Sequence, residues 1–288
     1  MTLNTLSAGV SVGAACSRQR FRHTSCHACV EACPAQALGI SEGKIDVNAE
    51  KCIQCASCLF VCPEDAISGV QPPIRYYRDN VLIAPFSVTA PTVEELLLWH
   101  KEWGISAIAI DPASSAPWAS VVTQLNIQLS NYGEPGWKFA LPEQSDINVS
   151  RRKLFHGQRR GAQSGRVIPG KYRMQQLWPH LSERRPVLDA RKCQLCGACW
   201  RVCKPQVLSI EGERLRISDA ACTGCGNCLA VCLHQAIHLE MSIQPAMTID
   251  LIADKRTCKT CHKSFLTFSA GEMQCIFCQH HAHGMRMA

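Results

Sequence analysis

A chain of 288 residues allows two average domains or several small ones, and 20 cysteines gathered at CxxC spacings favour several small ones held together by metal. The opening segment MTLNTLSAGVSVGAA has neither a continuous apolar stretch nor a basic lead into one, and no later stretch is apolar over a membrane-spanning length; a secreted disulfide framework is thereby disfavoured, and a soluble cytoplasmic protein with no membrane span is expected. The formal charge of +7 counts every cysteine as neutral, whereas metal-bound cysteines are thiolates, so global basicity is poor evidence for a nucleic-acid partner.

In chain order, the first cysteine run is incomplete: Cys26, Cys29 and Cys33, the last followed by Pro34. A complete run of Cys52, Cys55, Cys58 and Cys62, followed by Pro63, repeats it 29 residues later. That offset places His23 where the absent cysteine would fall, and Cys16 competes with it through a wider loop, since closure cost grows only logarithmically with length. Beyond the stretch QPPIRYYRDN, NVLIAPF reads as a buried strand and PTVEELLLWHKEW as a helix with Thr92 close to its start. GISAIAID predicts a second strand, WASVVTQLNIQLSNYG a second helix ending near Gly133, and GWKFAL a third strand. Residues 80–142 are therefore expected to form a small β-α-β-α-β unit, and the absence of GxGxxG and P-loop patterns makes it a scaffold or partner-docking unit rather than a nucleotide site.

Residues 150–173 (SRRKLFHGQRRGAQSGRVIPGKYR) hold eight Lys or Arg and no Asp or Glu, the composition of a solvated linker or a basic docking strip. Two complete runs follow, Cys193, Cys196, Cys199 and Cys203, then Cys222, Cys225, Cys228 and Cys232, again offset by 29. Three thiolates on a tight loop reach three irons of one cube, while the fourth begins a helix that points elsewhere.

The motifs CHACVEACP, CIQCASCLFVCP, CQLCGACWRVCKP and CTGCGNCLAVC resemble those of the bacterial two-[4Fe-4S] ferredoxins, over about residues 16–70 and 190–240. In that family the fourth cysteine of each run serves the other cluster. The resemblance thus implies one centre on Cys193, Cys196, Cys199 and Cys232 and another on Cys222, Cys225, Cys228 and Cys203. A third would use Cys52, Cys55, Cys58 and Cys33, and a fourth Cys26, Cys29 and Cys62 with one further ligand. CSRQRFRHTSCHACVEACP looks like a variant first motif of bacterial polyferredoxins and implies Cys16 for that ligand, with His23 or a [3Fe-4S] cluster as alternatives. In two runs the expected Cys-Pro is absent: Lys204 follows Cys203, and Leu233 follows Cys232. Ile53, Leu59, Phe60, Val61, Ile67, Leu195, Trp200, Val202, Leu229 and Val231 are expected to form dry walls around the clusters. The short SRRKLFHG element resembles one in accessory ferredoxins of bacterial molybdoenzymes and implies a redox-enzyme partner, with formate dehydrogenase or another molybdoenzyme as first guess.

At the C-terminus Cys258, Cys261, Cys275 and Cys278 form two CxxC knuckles thirteen residues apart, the spacing of a zinc ribbon, with KSFLTF and MQCIFC expected as its strands. CKTCH also spells a haem-attachment signal with His262 as ligand, but haem leaves Cys275 and Cys278 unexplained. The tail QHHAHGMRMA offers His280, His281 and His283 as additional ligands.

The fold expected is α+β: a ferredoxin-like double-cluster module at 1–78, the α/β unit at 79–145, the basic strip at 146–190, a second double-cluster module at 191–240, and the zinc ribbon with its tail at 241–288. Four [4Fe-4S] clusters and one zinc would take the net charge to about −3, so the basic residues largely offset cofactor charge. No catalytic motif stands out, so the expected function is electron transfer as a non-enzymatic polyferredoxin; a cluster-stabilised scaffold, maturation chaperone or redox-sensing regulator is the alternative.

Overall fold

The computed structural model describes residues 9–21, 23–141 and 161–280, and the chain divides into two compact units. The first comprises residues 1–16 and 27–177 and the second residues 17–26 and 178–288.

In the first unit, Ser11–Val12 (β1) pairs antiparallel with Ile67–Ser68 (β4), enclosing Ala28–Glu31 (α2), a hairpin of Leu38–Ser41 (β2) and Lys44–Val47 (β3), and Ser57–Val61 (α3). The one-turn helix Ser17–Arg20 (α1) belongs by its contacts to the second unit. Glu42 (φ 50°) and Gly43 (φ 81°) close the hairpin, the positive-φ pair that suits the strands' twist.

The following α/β layer is wider than the three strands expected from sequence. Its sheet has five strands: Arg75–Arg78 (β5), Val81–Ile83 (β6), Ala107–Ala109 (β7), Lys138–Ala140 (β8) and Gln163–Gly165 (β9), in the order β8-β7-β6-β5-β9. β6, β7 and β8 are parallel, while β5 runs antiparallel to both β6 and β9. The extra strands were hidden because RYYR sits beside a proline pair and QSG carries no apolar pattern; the pairing is supplied by β6 and β5 rather than by local propensity.

Val93–Trp103 (α4) begins at Thr92, whose hydroxyl accepts the Glu95 backbone N–H at 3.2 Å, and ends at Gly104 in the left-handed region (φ 66°). It buries Leu96, Leu97, Leu98 and Trp99, and Ala116–Asn131 (α5) buries Trp118, Val122, Leu125 and Leu129 along one stripe. Between them Arg75 grips Glu95 with two bonds of 2.7 and 3.1 Å, donates to Ser87 Oγ at 2.7 Å, and lies over the Trp118 ring. Burial pushes the Glu95 carboxyl up, and Arg75 partly opposes the shift. Lys171–Leu177 (α6) completes this unit, its first backbone N–H donating to Asp65 at 2.8 Å.

The second unit repeats the plan of the first module. Leu181–Leu188 (β10) pairs antiparallel with Ile237–Pro245 (β13), enclosing Ala198–Val202 (α7), the hairpin Leu208–Glu211 (β11) and Arg214–Ser218 (β12), and Asn227–Ala230 (α8). Thr248–Ile252 (β14) adds a third strand to that hairpin. Asp219 is 1 % exposed; it accepts from Arg185 Nε at 2.6 Å and from the Met247 backbone at 2.7 Å, tying the ribbon of β10 and β13 to the turn that precedes Cys222. Asp254–Thr257 (β15) and Ser264–Thr267 (β16) form a final antiparallel hairpin, followed by Ile276–His280 (α9). The expectation that MQCIFC forms a strand is overturned. KSFLTF pairs instead with DKRT, and the chain turns at Cys275 into a helix, whose i→i+4 bonds, such as Gln279 N–H to the Cys275 carbonyl, satisfy the backbone locally.

Because Arg75 and Glu95 are both buried, removing one leaves an uncompensated charge. Arg75→Met should destabilise the α/β layer by about 3–5 kcal/mol, and the double variant Arg75→Met/Glu95→Leu by clearly less, read as shifts in tryptophan-monitored urea unfolding.

Candidate metal centres

Each complete cysteine run adopts one backbone device. In the first, Gln54 (φ 54°) and Ala56 (φ 64°) flank Cys55 in the left-handed region; Leu195 (φ 48°) and Gly197 (φ 87°) flank Cys196, and Gly224 (φ 71°) and Gly226 (φ 73°) flank Cys225. Alternating left-handed residues curl the loop so that three sulfurs converge, and the second of them is the N-cap of the short helix carrying the third cysteine. After the fourth cysteine a second device recurs four times: Gln36, Asp65, Gln206 and Gln235 all have φ between 49° and 53°. The turn lets the Ala37, Ala66 and Ala236 backbone N–H groups donate to Cys33, Cys62 and Cys232 Sγ at 3.2 Å each.

These loops enclose three cavities. Cys193, Cys196, Cys199 and Cys232 line one; Cys203, Cys222, Cys225 and Cys228 line the second; Cys33, Cys52, Cys55 and Cys58 line the third. Each therefore takes three sulfurs from one run and the fourth from the other. The walls come from the strands as much as from the cysteine loops: Leu188 and Ile237 in the first, Val207, Leu208 and Leu239 in the second, Val10 and Leu38 in the third. Of the side chains expected at the walls, Ile53 and Trp200 line a cavity directly, while Phe60 is buried at 1 % exposure and Leu229 packs against the core of the second module.

Burial and neighbouring sulfurs push the Cys58 and Cys199 thiols up to about 12, burial pushes Cys222 up to about 11, and Cys193 and Cys228 are raised for the same reason. Four thiolates cannot share such a cavity without a cation among them. Thr223, 2 % exposed, lines the second cavity with its hydroxyl lacking a hydrogen-bond partner among the described residues. Four converging sulfurs, apolar walls, backbone N–H donors and, in the second cavity, a buried hydroxyl without a partner fit an iron–sulfur cluster, whose sulfurs accept such bonds. Sequence reading missed Thr223 and the alanine N–H groups, since neither a lone threonine nor a backbone amide leaves a spacing signal.

The remaining cysteines are placed differently. Cys16, Cys29 and Cys62 are buried in the first unit, and Cys26 ends the 17–26 segment that groups with the second; His23 is exposed. His27 holds φ −141° where the complete runs have a left-handed residue, so the first run does not share their loop geometry. At the C-terminus the four sulfurs of Cys258, Cys261, Cys275 and Cys278 all lie within 4.8 Å of one another, with Cys261 Sγ and Cys275 Sγ 3.8 Å apart. That spacing matches the edge of a tetrahedron of thiolates about 2.3 Å from one central ion. Backbone N–H groups of Cys261, Cys275 and Thr260 pull the Cys258 thiol down to about 6, favouring its thiolate. The SRRKLFHG element, His281 and His283 lie outside the described residues.

Two β-α-β-β-α-β modules, with sulfur-lined cavities that exchange their fourth cysteine, define a double-cluster iron–sulfur electron-transfer protein. Residues 24–67 and 185–233 each match a 4Fe-4S dicluster domain family. The chain belongs to the two-module ferredoxin and polyferredoxin family. It is 56 % identical over 91 residues to a ferredoxin of Pyrobaculum islandicum, covering 29 % of this chain and 80 % of that protein. It is 49 % identical over 70 residues to the polyferredoxin-like subunit of an aliphatic sulfonate oxidoreductase of Pyrococcus furiosus (24 % of this chain, 38 % of that one). Hydrogenase-4 component A of Escherichia coli is 34 % identical over 96 residues (30 % and 46 %). The chain thus spans less than half the length of these last two relatives. Its 4Fe-4S domains are electron carriers, and no described helix is long and apolar enough to cross a membrane.

The shared loop device makes a positional prediction. Gly226 occupies the place held by Ala56 in the first module, so Gly226→Ala should keep full iron content. Gly226→Val, a β-branched residue at φ 73°, should strain the loop by about 1–3 kcal/mol and selectively deplete one cluster, read as iron per chain and loss of one EPR component.

Proposed function

We propose that the chain is a polyferredoxin that carries electrons through four [4Fe-4S] clusters to or from a redox enzyme in the cytoplasm. The reading rests on one observation above all: three cavities each gather four cysteine sulfurs, three from one run and one from its pair. In it, Cys193, Cys196, Cys199 and Cys232 hold one cluster, Cys222, Cys225, Cys228 and Cys203 a second, and Cys52, Cys55, Cys58 and Cys33 a third. Cys26, Cys29 and Cys62 hold the fourth together with Cys16, whose burial, beside the exposure of His23, favours the cysteine. When bound, such clusters supply one-electron steps at low potential. The protein's own residues keep each cluster dry and donate N–H bonds to the ligating sulfurs, which stabilises the more negative, reduced form.

Cys258, Cys261, Cys275 and Cys278 would hold a structural zinc, because four thiolates leave no open position for water or substrate. The α/β layer and the basic strip would serve partner docking. Two similar proteins are named as components of a hydrogenase and of an oxidoreductase, which supports a multi-subunit redox enzyme as the partner. The SRRKLFHG resemblance narrows that to a formate dehydrogenase or related molybdoenzyme.

Anaerobically purified protein should contain about sixteen iron and one zinc per chain and show reversible low-potential EPR signals. Zinc in place of iron, or clusters that decay on reduction, would overturn the relay. Cys16→Ser should convert or remove one centre and spare the others, while His23→Ala should leave all of them; the reverse result would assign the ligand to His23.

A further inference from the structure

The sixteen cysteines assigned to iron are unequally covered. Among them Cys196 is the one that is exposed; the other fifteen are buried or half-buried. Electronic coupling falls steeply with distance, so an exposed ligand marks where a cluster comes nearest to a docked partner. The surroundings of Cys196 are charged. The segment from Leu188 to Lys204 holds Arg191, Lys192, Arg201 and Lys204 against a single acid, Asp189. The Arg191 and Lys192 side chains are 96 % and 60 % exposed, and both approach Asp189 only to 3.9 Å. Arg201 Nη1 donates to the Cys196 carbonyl oxygen at 3.3 Å, which fixes its cation beside the exposed ligand. Leu233, 92 % exposed, stands between Cys232 and His234, both of which line the same cavity.

We infer that this basic rim with its apolar spot is the electron port of the second module, shaped for a redox partner that presents an acidic surface. The inference rests on the relay proposed above. Its competitor is that the cations only offset the cluster's own negative charge. The two differ in rate behaviour. The oxidised loaded protein carries about −3 and each reduced cluster adds a further −1, so a small anionic oxidant would be repelled by the global charge of the reduced protein, and its rate would rise with salt as that repulsion is screened. A local basic port predicts the opposite.

The test uses the full-length, cluster-loaded protein, reduced with dithionite, freed of reductant, and mixed in stopped flow with equimolar ferricyanide or hexaammineruthenium(III). One electron leaves a reduced cluster and yields ferrocyanide or hexaammineruthenium(II), with no atom transferred. The fastest ferricyanide phase should slow as salt rises. In Arg191→Glu/Lys192→Glu it should fall by about tenfold or more while the ruthenium rate increases. A change of potential alone would move both rates in the same direction. Equal or same-direction changes, or a ferricyanide rate that rises with salt in the unmodified protein, would overturn the port. Failure of the relay itself would appear separately, as missing cluster EPR signals before any oxidant is added.

Discussion

Gathering sulfur in apolar cavities is the constraint on which both modules depend. Each of the three cavities crowds four cysteines behind aliphatic walls, and burial pushes thiols such as Cys58, Cys199 and Cys222 up. Four thiols there would be a poorly packed, weakly bonded core, and four thiolates an uncompensated charge. A polynuclear cation resolves both problems together. The surrounding architecture then serves to bring the sulfurs to it at the right angles and to keep water away.

The chain meets that demand with short elements rather than with a large core. Left-handed residues on either side of the middle cysteine aim three sulfurs inward, and helices of only four or five residues carry the third. Such helices would not persist alone, because nucleation is costly and few of their backbone groups are paired internally. The exchange of the fourth cysteine adds long-range closure, so each of the three cavities joins the two runs of its module. In the second module Cys199, Cys222 and Cys228 are members of the hydrophobic core beside Val207, Leu208, Ile217 and Ile237. Loss of metal would therefore remove the middle of that core as well as the redox group.

That the first three cysteines of each complete run meet was legible from spacing, since CxxCxxC leaves only two residues for each bend, whereas the exchange of the fourth cysteine seen in the three cavities came from the resemblance to two-cluster ferredoxins. The α/β helices were legible for a similar local reason, since Thr92, Gly104 and the apolar stripes punctuate them clearly. What escaped depends on partners distant in sequence. QSG becomes a strand only because RYYR offers it an edge, and MQCIFC, rich enough in apolar residues to suggest a strand, closes its backbone bonds within a short helix from Ile276 instead. Thr223 gains its meaning only from the cavity it faces.

The same reasoning separates the first cysteine run from the other three. A 29-residue offset implies identical loops, yet His27 adopts φ −141° where Ala56, Gly197 and Gly226 are left-handed. That run lacks the first cysteine of its motif, and its backbone departs from the two successive left-handed bends of the complete runs. The turn after Cys33 is kept, with Gln36 at φ 49° and the Ala37 N–H on Cys33 sulfur, because Cys33 serves the cavity formed with Cys52, Cys55 and Cys58, whose run is complete. Conformation follows the cavity a residue lines rather than the run in which it is written. One cysteine run can therefore diverge at its start while its end stays locked to the neighbouring centre.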